Sequence, residues 1–319
     1  MKRHDDRSWM ERINPLVPIS LLSPFLLYAI SLLLPTFDDW TYYTVPYFGE
    51  LFTYRLLPNA SYWRPFDALF GSLLGLDYRL FPALNHVFVY AAHLGSTVLV
   101  YKLASMLGFN ATARNVATVF FFISPAALGT VLGIDALNQA YSQFWGLLGL
   151  KAYLGGCGRR NRAAWLACVC VATLSKENGI MFFFIPPLLA YGFGRAGSGR
   201  LRRDLLYGLA ASAAYFCERL ALTNSHVDVL DDYFESTLSS KLSDIGTFIG
   251  MTWIPLDYVC LVHPPSRNLW VLVLTLALPM PFILTLFIRG RRLLLGRPFL
   301  ALACCMCLAA LPHLLTLFT

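Results

Sequence analysis

Residues 84 to 106 read LNHVFVYAAHLGSTVLVYKLASM, and this stretch decides the predicted fold. The stretch contains one formally charged side chain, that of Lys102, near its carboxyl end. A helix needs about 20 mainly apolar residues to cross the hydrocarbon core of a bilayer. The stretch therefore predicts a transmembrane helix.

The rest of the chain repeats this pattern. Hydrophobic residues make up 57% of the 319 residues, charged residues only 13%, and the mean hydropathy is +0.58, which are not the values of a soluble globular protein. The sequence predicts an all-α, polytopic integral membrane protein that forms one transmembrane domain over residues 1–319. About nine spans are predicted, at 16–35, 84–106, 115–133, 139–156, 163–175, 178–194, 204–222, 269–288 and 298–318.

Two of these spans leave alternatives open. The polar break at Ser175-Lys176-Glu177 is either a tight hairpin between spans 163–175 and 178–194 or a kink in one longer segment. The first span has a charged leader like that of a cleaved signal peptide. Its length, its prolines and its lack of a small-x-small site at the end favour a retained span.

The basic residues set the predicted orientation, because short loops that carry Lys and Arg stay in the cytoplasm. With the amino terminus inside, nine spans place 18 of the 25 Lys and Arg residues on the cytoplasmic side and 7 on the other. The formal net charge of +7 then reflects topology and contacts with anionic membrane lipids, and it indicates no nucleic-acid partner. We expect a location in the inner or plasma membrane.

Two predicted extracytoplasmic loops, 36–83 and 223–268, are long enough to carry a function. The first loop is rich in Trp, Tyr and Phe, which favour the headgroup interface. The second loop has apolar residues at helical spacing with acidic residues between them, a pattern typical of an interfacial amphipathic helix. We therefore expect interfacial helices in both loops and a function that faces outward.

The first of these loops opens with Phe37-Asp38-Asp39-Trp40, directly after the first apolar run. An acidic pair at the membrane surface suits an enzyme whose substrate is embedded in the membrane. The alternative interpretation is a solvated pair that caps the next helix. Adjacent carboxylates repel each other unless a cation or donor lies between them, which permits a divalent metal on Asp38 and Asp39 without requiring one.

Short motifs in a fixed order resemble a known group of enzymes. They are Phe37-Asp38-Asp39-Trp40, Tyr62-Trp63-Arg64-Pro65-Phe66, Leu84-Asn85-His86 through His93, Ser124-Pro125 and Ser175-Lys176-Glu177-Asn178-Gly179-Ile180. Over residues 15–195 the chain is similar to the glycosyltransferase C superfamily, and within it to the protein O-mannosyltransferases. Such enzymes are usually longer, so the resemblance also predicts that this chain is truncated at its carboxyl end.

The resemblance implies transfer of a sugar from a polyprenyl-phosphate carrier to an acceptor hydroxyl or amine on the extracytoplasmic side. The acceptor is an unknown protein, lipid or glycan. That reaction needs a general base, which Asp38 or Asp39 would supply. It also needs cations at the lipid phosphate, for which Arg64 and Lys176 are the candidates.

These candidate roles have plainer alternatives. Arg64 could pair with Asp67 or reach a lipid phosphate without any role in transfer. Lys176 could form an ion pair with Glu177. His86 and Glu177 are predicted to support the site, whereas His93, two turns deeper, is predicted to be a structural histidine.

Two rival classes of protein fit the same composition. A polysaccharide polymerase, ligase or flippase would be polytopic with outward loops, but the predicted spans are nearly free of the mid-depth charges that mark a translocation path. A non-catalytic membrane protein is the other alternative. Replacement of Asp38 and Asp39 by Asn distinguishes the two classes, because it would leave every biochemical phenotype of a non-catalytic protein intact.

Overall fold

The computed structural model describes residues 14–32, 65–66, 69, 82–133, 136–222 and 296–315. Within these ranges every regular element is a helix and none is a strand, so the all-α prediction is confirmed for this part of the chain. The predicted span 269–288 lies outside the described residues. So do the loop 223–268 and nearly all of the loop 36–83, with their predicted interfacial helices.

The described helices follow the predicted apolar runs. They are α1 (Leu16–Ser31), α2 (Pro82–Met106), α3 (Ala111–Ile123), α4 (Pro125–Leu132), α5 (Leu137–Leu154), α6 (Arg159–Ser175), α7 (Ile185–Gly192), α8 (Ser198–Leu222) and α9 (Arg297–Leu315), with a 3₁₀ helix at Glu177–Phe183 between α6 and α7. The chain divides into two compact units, one made of residues 1–57 and 64–179 and the other of 58–63 and 180–319. The first unit holds α1 to α6, and the second holds α7 to α9.

Helix α2 is the centre of the first unit. It packs against α1, α3, α4 and α5, while α6 covers α5. The His93 imidazole contacts the carbonyl oxygen of Phe122 at 3.0 Å, and the guanidinium of Arg114 lies 4.5 Å from the ring centre of Tyr101. Residues late in α2 thus meet residues early in α3, so these two helices run antiparallel.

Helix α5 runs in the same direction as α2, and α6 runs back along α5. The hydroxyl of Tyr141 lies 3.5 Å from the carbonyl oxygen of Phe88, and a Cβ added to Gly95 would touch the ring of Phe144. The connection between α5 and α6 is only residues 155–158, and short connections join antiparallel neighbours. Next to it, the rings of Tyr153 and Trp165 meet edge to face at 4.9 Å.

The predicted span 115–133 is divided in the structure. Helix α3 ends at Ile123, and α4 begins at Pro125. Proline lacks a backbone N–H and disfavours the helical conformation in the residue before it. Ser124 accordingly has a ψ of 128°, which ends α3 and starts a new helix.

The predicted span 178–194 is also not one continuous helix. The 3₁₀ helix covers its first part, and α7 is only 8 residues long, about 12 Å against the roughly 30 Å of a bilayer core. The break at Lys176 is real, because α6 ends at Ser175 and Lys176 is extended, with a φ of −153° and a ψ of 141°. The hairpin and the single kinked segment both stay predictions, since each allows a break at Lys176.

The outer faces of α1 and α3 are apolar, while polar side chains of the same helices are buried. On α1, Ser23 is buried, whereas Leu21 is 68% and Phe25 is 74% exposed. On α3, Asn115 and Thr118 are buried, and the exposed side chains are Val116, Val119, Phe120 and Ile123. Ile19, Ile30 and Phe122 of these helices are buried as well. A surface helix of a water-soluble protein also buries an apolar stripe, but its outer face is polar.

One described helix, His86–Met106, is long and apolar enough to cross a membrane. It has 21 residues and a mean hydropathy of 1.4, and half of its apolar window is buried. Shorter apolar helices occur at Leu16–Ser31, Ala111–Ile123 and Arg297–Met306. Length and composition do not separate one such helix from the core helix of a globular domain, so the nine-span architecture stays a prediction.

Candidate functional site

The described residues include half of the predicted site. His86, Lys176 and Glu177 lie within them, whereas Asp38, Asp39 and Arg64 lie outside. The proposed base, the proposed metal ligands and one of the two proposed phosphate contacts therefore stay predictions. Among the described residues, no group of three or more His, Cys, Asp or Glu side chains could hold a metal ion.

His86 lies near the start of α2 and is only 5% exposed. The contact between Phe88 and Tyr141 places this end of α2 beside the first turns of α5. Asn138, in the first turn of α5, is also buried, and its side-chain oxygen has no hydrogen-bond partner among the described residues. A buried imidazole and a buried amide thus belong to the same end of the first unit.

The end of α6 belongs to this end as well, because α6 is antiparallel to α5. Ser175, the last residue of α6, is buried, and its hydroxyl donates to the carbonyl oxygen of Val171 at 2.8 Å. The backbone N–H of Lys176 still donates to the carbonyl oxygen of Ala172 at 3.0 Å. Lys176 and Glu177, both half-buried, follow directly.

Gly179 holds the chain against α6 immediately after these two residues. Its N–H donates to the carbonyl oxygen of Lys176 at 2.9 Å. A Cβ added to Gly179 would lie 2.5 Å from the backbone nitrogen of Thr173, and closer still to the carbonyl group of Ala172. Only a residue without a side chain allows this approach, so Gly179 determines how Lys176 and Glu177 leave the helix.

The carboxyl end of α3 meets α2 two turns deeper, at His93. His93 contacts the carbonyl oxygen of Phe122, and its ring stacks on the rings of Phe121 and Phe122 at 5.6 and 5.5 Å. Ser124, just beyond α3, is buried. The geometry of His93 is that of a structural histidine, with a buried ring that packs on aromatic side chains and links α2 to α3.

We call this end of the first unit the polar end. It holds His86, Asn138, Ser175, Lys176 and Glu177. Three helix termini supply these residues, namely the starts of α2 and α5 and the end of α6. The ammonium group of Lys176 can donate to phosphate oxygens, and the carboxylate of Glu177 and the amide of Asn138 can accept from hydroxyl groups.

The sequence identified His86, Lys176 and Glu177 as site residues, but not the part played by Gly179. The motif Ser175-Lys176-Glu177-Asn178-Gly179 contained the signal, since a glycine just beyond a helix end often marks a position where the backbone needs space. The sequence did not show that this space is taken up by the backbone of α6.

Comparison with protein-family models, curated proteins and solved structures finds no significant match to this chain. The functional assignment therefore depends on the residues themselves.

Proposed function

We propose that this chain is a polytopic integral membrane glycosyltransferase. It would move a sugar from a polyprenyl-phosphate donor to an acceptor hydroxyl or amine at the extracytoplasmic face of the membrane. Two observations support the proposal, one for the membrane and one for the site.

The membrane part is supported by the apolar outer faces of α1 and α3. Outward-facing Phe25 and Leu21 would be costly in water, where each fully exposed large apolar side chain forgoes about 1.5–3 kcal/mol of burial. In lipid the same side chains are well solvated, and polar groups turn inward to find partners. The hydroxyl of Tyr90 does so by donating to the Ser23 hydroxyl at 2.7 Å, which joins α2 to α1.

The catalytic part is supported by the polar end, and this is the observation that carries the proposal. In the predicted topology the starts of α2 and α5 and the end of α6 all face away from the cytoplasm. A polyprenyl-phosphate sugar presents its phosphate at the headgroup level. Lys176 at the polar end is suited to bind that phosphate, with Arg64 as the second cation.

The reaction then requires one proton transfer and one displacement at the anomeric carbon. Asp38 or Asp39 would accept the proton of the acceptor group as its oxygen or nitrogen bonds to that carbon. The bond between the anomeric carbon and the phosphate oxygen breaks, and the lipid phosphate leaves with the electron pair. The charge that develops on the phosphate would be stabilised by Lys176 and Arg64.

Transfer of labelled sugar from a synthetic polyprenyl-phosphate donor by the purified full-length protein tests the proposal. Replacement of the base by Asp38→Asn or Asp39→Asn should lower the rate by about 100-fold or more for the catalytic member of the pair. Lys176→Gln should also lower it by about 100-fold, because a preorganised cation is lost from the leaving phosphate. The same assay with and without a metal chelator shows whether the transfer rate depends on a divalent metal.

Lys102→Gln is the matched control. Lys102 is an exposed lysine at the opposite end of α2, so its loss should leave the rate unchanged. Equal turnover of wild type, Asp38→Asn and Asp39→Asn would exclude these carboxylates as the base. No transfer with any donor sugar, together with donor flipping across vesicles, would favour the flippase class instead.

A further inference from the structure

The second unit carries five arginines where α7 ends and α8 and α9 begin. We call them the arginine end: Arg195, Arg200, Arg202, Arg203 and Arg297. The guanidinium of Arg297 lies 5.9 Å from the ring centre of Tyr191. A Cβ added to Gly192 would lie 3.1 Å from the carbonyl oxygen of Arg297 and would touch the side chain of Ala301. The first turns of α9 therefore pack against the last turn of α7.

The start of α8 lies at the same place because the connection from α7 is short. Residues 193–197 link the two helices, and the chain turns at Gly194, which has a φ of +70°. Arg195 is part of this turn, and the next three arginines occupy the first turns of α8. All five guanidinium groups thus come from one end of the helix group formed by α7, α8 and α9.

Asp204 orders part of this cluster. Its carboxylate is fully buried and accepts from Nε of Arg200 at 3.4 Å and from Nε of Arg203 at 3.2 Å. The side chain of Arg203 is nevertheless 47% exposed, and Arg195, Arg202 and Arg297 are exposed as well. Among the described residues of this region, five arginines outnumber the one carboxylate, that of Asp204, so this part of the surface is strongly positive.

Exposed apolar side chains begin next to these arginines. Leu206 and Tyr207 follow on α8, and Phe299 and Leu300 follow on α9, all of them exposed. A positive rim above an apolar wall matches the boundary between the headgroups and the acyl chains of a bilayer. A nucleic acid or an acidic soluble protein would meet the arginines but would leave the apolar wall in water.

We propose that the arginine end binds the phosphate of an anionic phospholipid. The planar guanidinium groups would donate to the phosphate oxygens, and the acyl chains would lie along the exposed apolar side chains of α8 and α9. The inference rests on the membrane embedding proposed above but not on sugar transfer. Lipid binding is measured without any sugar donor, so one proposal can fail while the other holds.

Native mass spectrometry of the full-length protein in detergent tests this site. The protein is titrated with dioctanoyl phosphatidylglycerol, with dioctanoyl phosphatidylcholine and with inorganic phosphate. Phosphatidylglycerol should bind more tightly than phosphatidylcholine, and inorganic phosphate should not displace it. The double variant Arg195→Gln/Arg202→Gln removes two exposed charges and spares the pairs with Asp204, and it should weaken phosphatidylglycerol binding on the order of tenfold.

Arg159→Gln/Arg160→Gln is the matched control, since it removes two exposed arginines at the start of α6 in the other unit. It should change the affinity less than twofold. The variant Arg195→Lys/Arg202→Lys keeps both positive charges and should retain most of the phosphatidylglycerol binding. It keeps the proposal testable if the Gln variant folds poorly. Equal affinity for the two lipids, equal weakening by the control variant, or displacement by inorganic phosphate would each overturn the proposal.

Discussion

At the scale of single residues, Gly179 makes the closest backbone approach among the described glycines of the first unit. It lies against the backbone of Ala172 and Thr173, and backbone cannot move aside as a flexible side chain can. Any larger residue must push the 3₁₀ helix away from α6. Because Lys176 and Glu177 precede Gly179 by only a few residues, that shift would also move the side chain proposed to bind the donor phosphate, Lys176, and the supporting Glu177.

Gly179→Ala should therefore destabilise the protein by about 1–3 kcal/mol, the usual cost of overpacking, and should lower sugar transfer at least tenfold. The measurements are the apparent melting temperature in detergent and the labelled-sugar assay. Gly197→Ala is the matched control, because a Cβ there meets nothing within 4 Å. Normal stability and normal transfer by Gly179→Ala would show that the close approach to α6 does not occur in solution.

Some properties of single residues could not be predicted from the sequence. The burial of Asn138 and Ser175 depends on how α5 and α6 run beside each other, and no local pattern in the sequence reports that. The structural role of His93 could be expected from its apolar neighbours, but its contact with the carbonyl oxygen of Phe122 could not. Asp38, Asp39 and Arg64 lie outside the described residues, so the structure neither supports nor contradicts them.

At the scale of helices, polar contacts between apolar helices distinguish the interface of α1 and α2. A buried cluster at this place joins Ile19 and Ile30 of α1, Tyr90 of α2 and Phe122 of α3. The hydroxyl of Tyr90 donates to that of Ser23, which in turn donates to the carbonyl oxygen of Ile19 at 2.7 Å. In lipid such a contact contributes on average about 0.6 kcal/mol, because the separated helices also find polar partners.

A double-mutant cycle with Tyr90→Phe and Ser23→Ala should give a coupling energy of about 0.6 kcal/mol and at most about 1.7 kcal/mol. The free energy of unfolding is measured by titration with SDS in mixed micelles. Tyr28→Phe serves as control, since Tyr28 is 68% exposed on the outer face of α1 and its hydroxyl should contribute little. A coupling energy indistinguishable from zero would contradict the contact.

Helix boundaries were predictable where the hydropathy pattern is simple and not where proline or a backbone contact intervenes. The predicted start and end of the 84–106 span agree with α2 within a few residues. The prediction missed the break at Ser124-Pro125, although the proline itself was visible. It also did not predict that the 178–194 segment forms a 3₁₀ helix followed by α7, because hydropathy reports an average and not the backbone conformation.

At the scale of the whole molecule, the most predictable feature was the all-helical class, which the described residues confirm. Long apolar runs can satisfy their backbone hydrogen bonds within lipid only as helices or closed barrels, and the runs here are too long and too uniform for the alternating pattern of barrel strands. The division into two units was not predicted, because the sequence has no linker of distinct composition at residue 180.

The topology makes a prediction about α6, whose 17 residues would extend about 26 Å. Its two ends should lie on opposite sides of the membrane. In a variant with Cys157 as the sole cysteine, a membrane-impermeant maleimide should label no protein in intact cells. In a cysteine-free variant with Asn178→Cys, it should label the protein fully, because both positions are exposed but only the second faces outward in the proposed orientation.

Permeabilised cells provide the control for this experiment, since both variants should then react. Labelling of both positions, or of neither, in intact cells would contradict a membrane-spanning α6. Labelling of Cys157 alone would reverse the orientation and would put the polar end, with Lys176, in the cytoplasm.

The outward Val, Leu and Phe side chains of α1 and α3 also constrain the biogenesis of the protein. In the proposed membrane architecture each helix would enter the lipid as it leaves the ribosome, because a chain with such exposed apolar side chains aggregates in an aqueous compartment. The bond between Tyr90 and Ser23 and the contact between His93 and Phe122 join separate helices. In that architecture they would form after insertion, when the helices meet side by side.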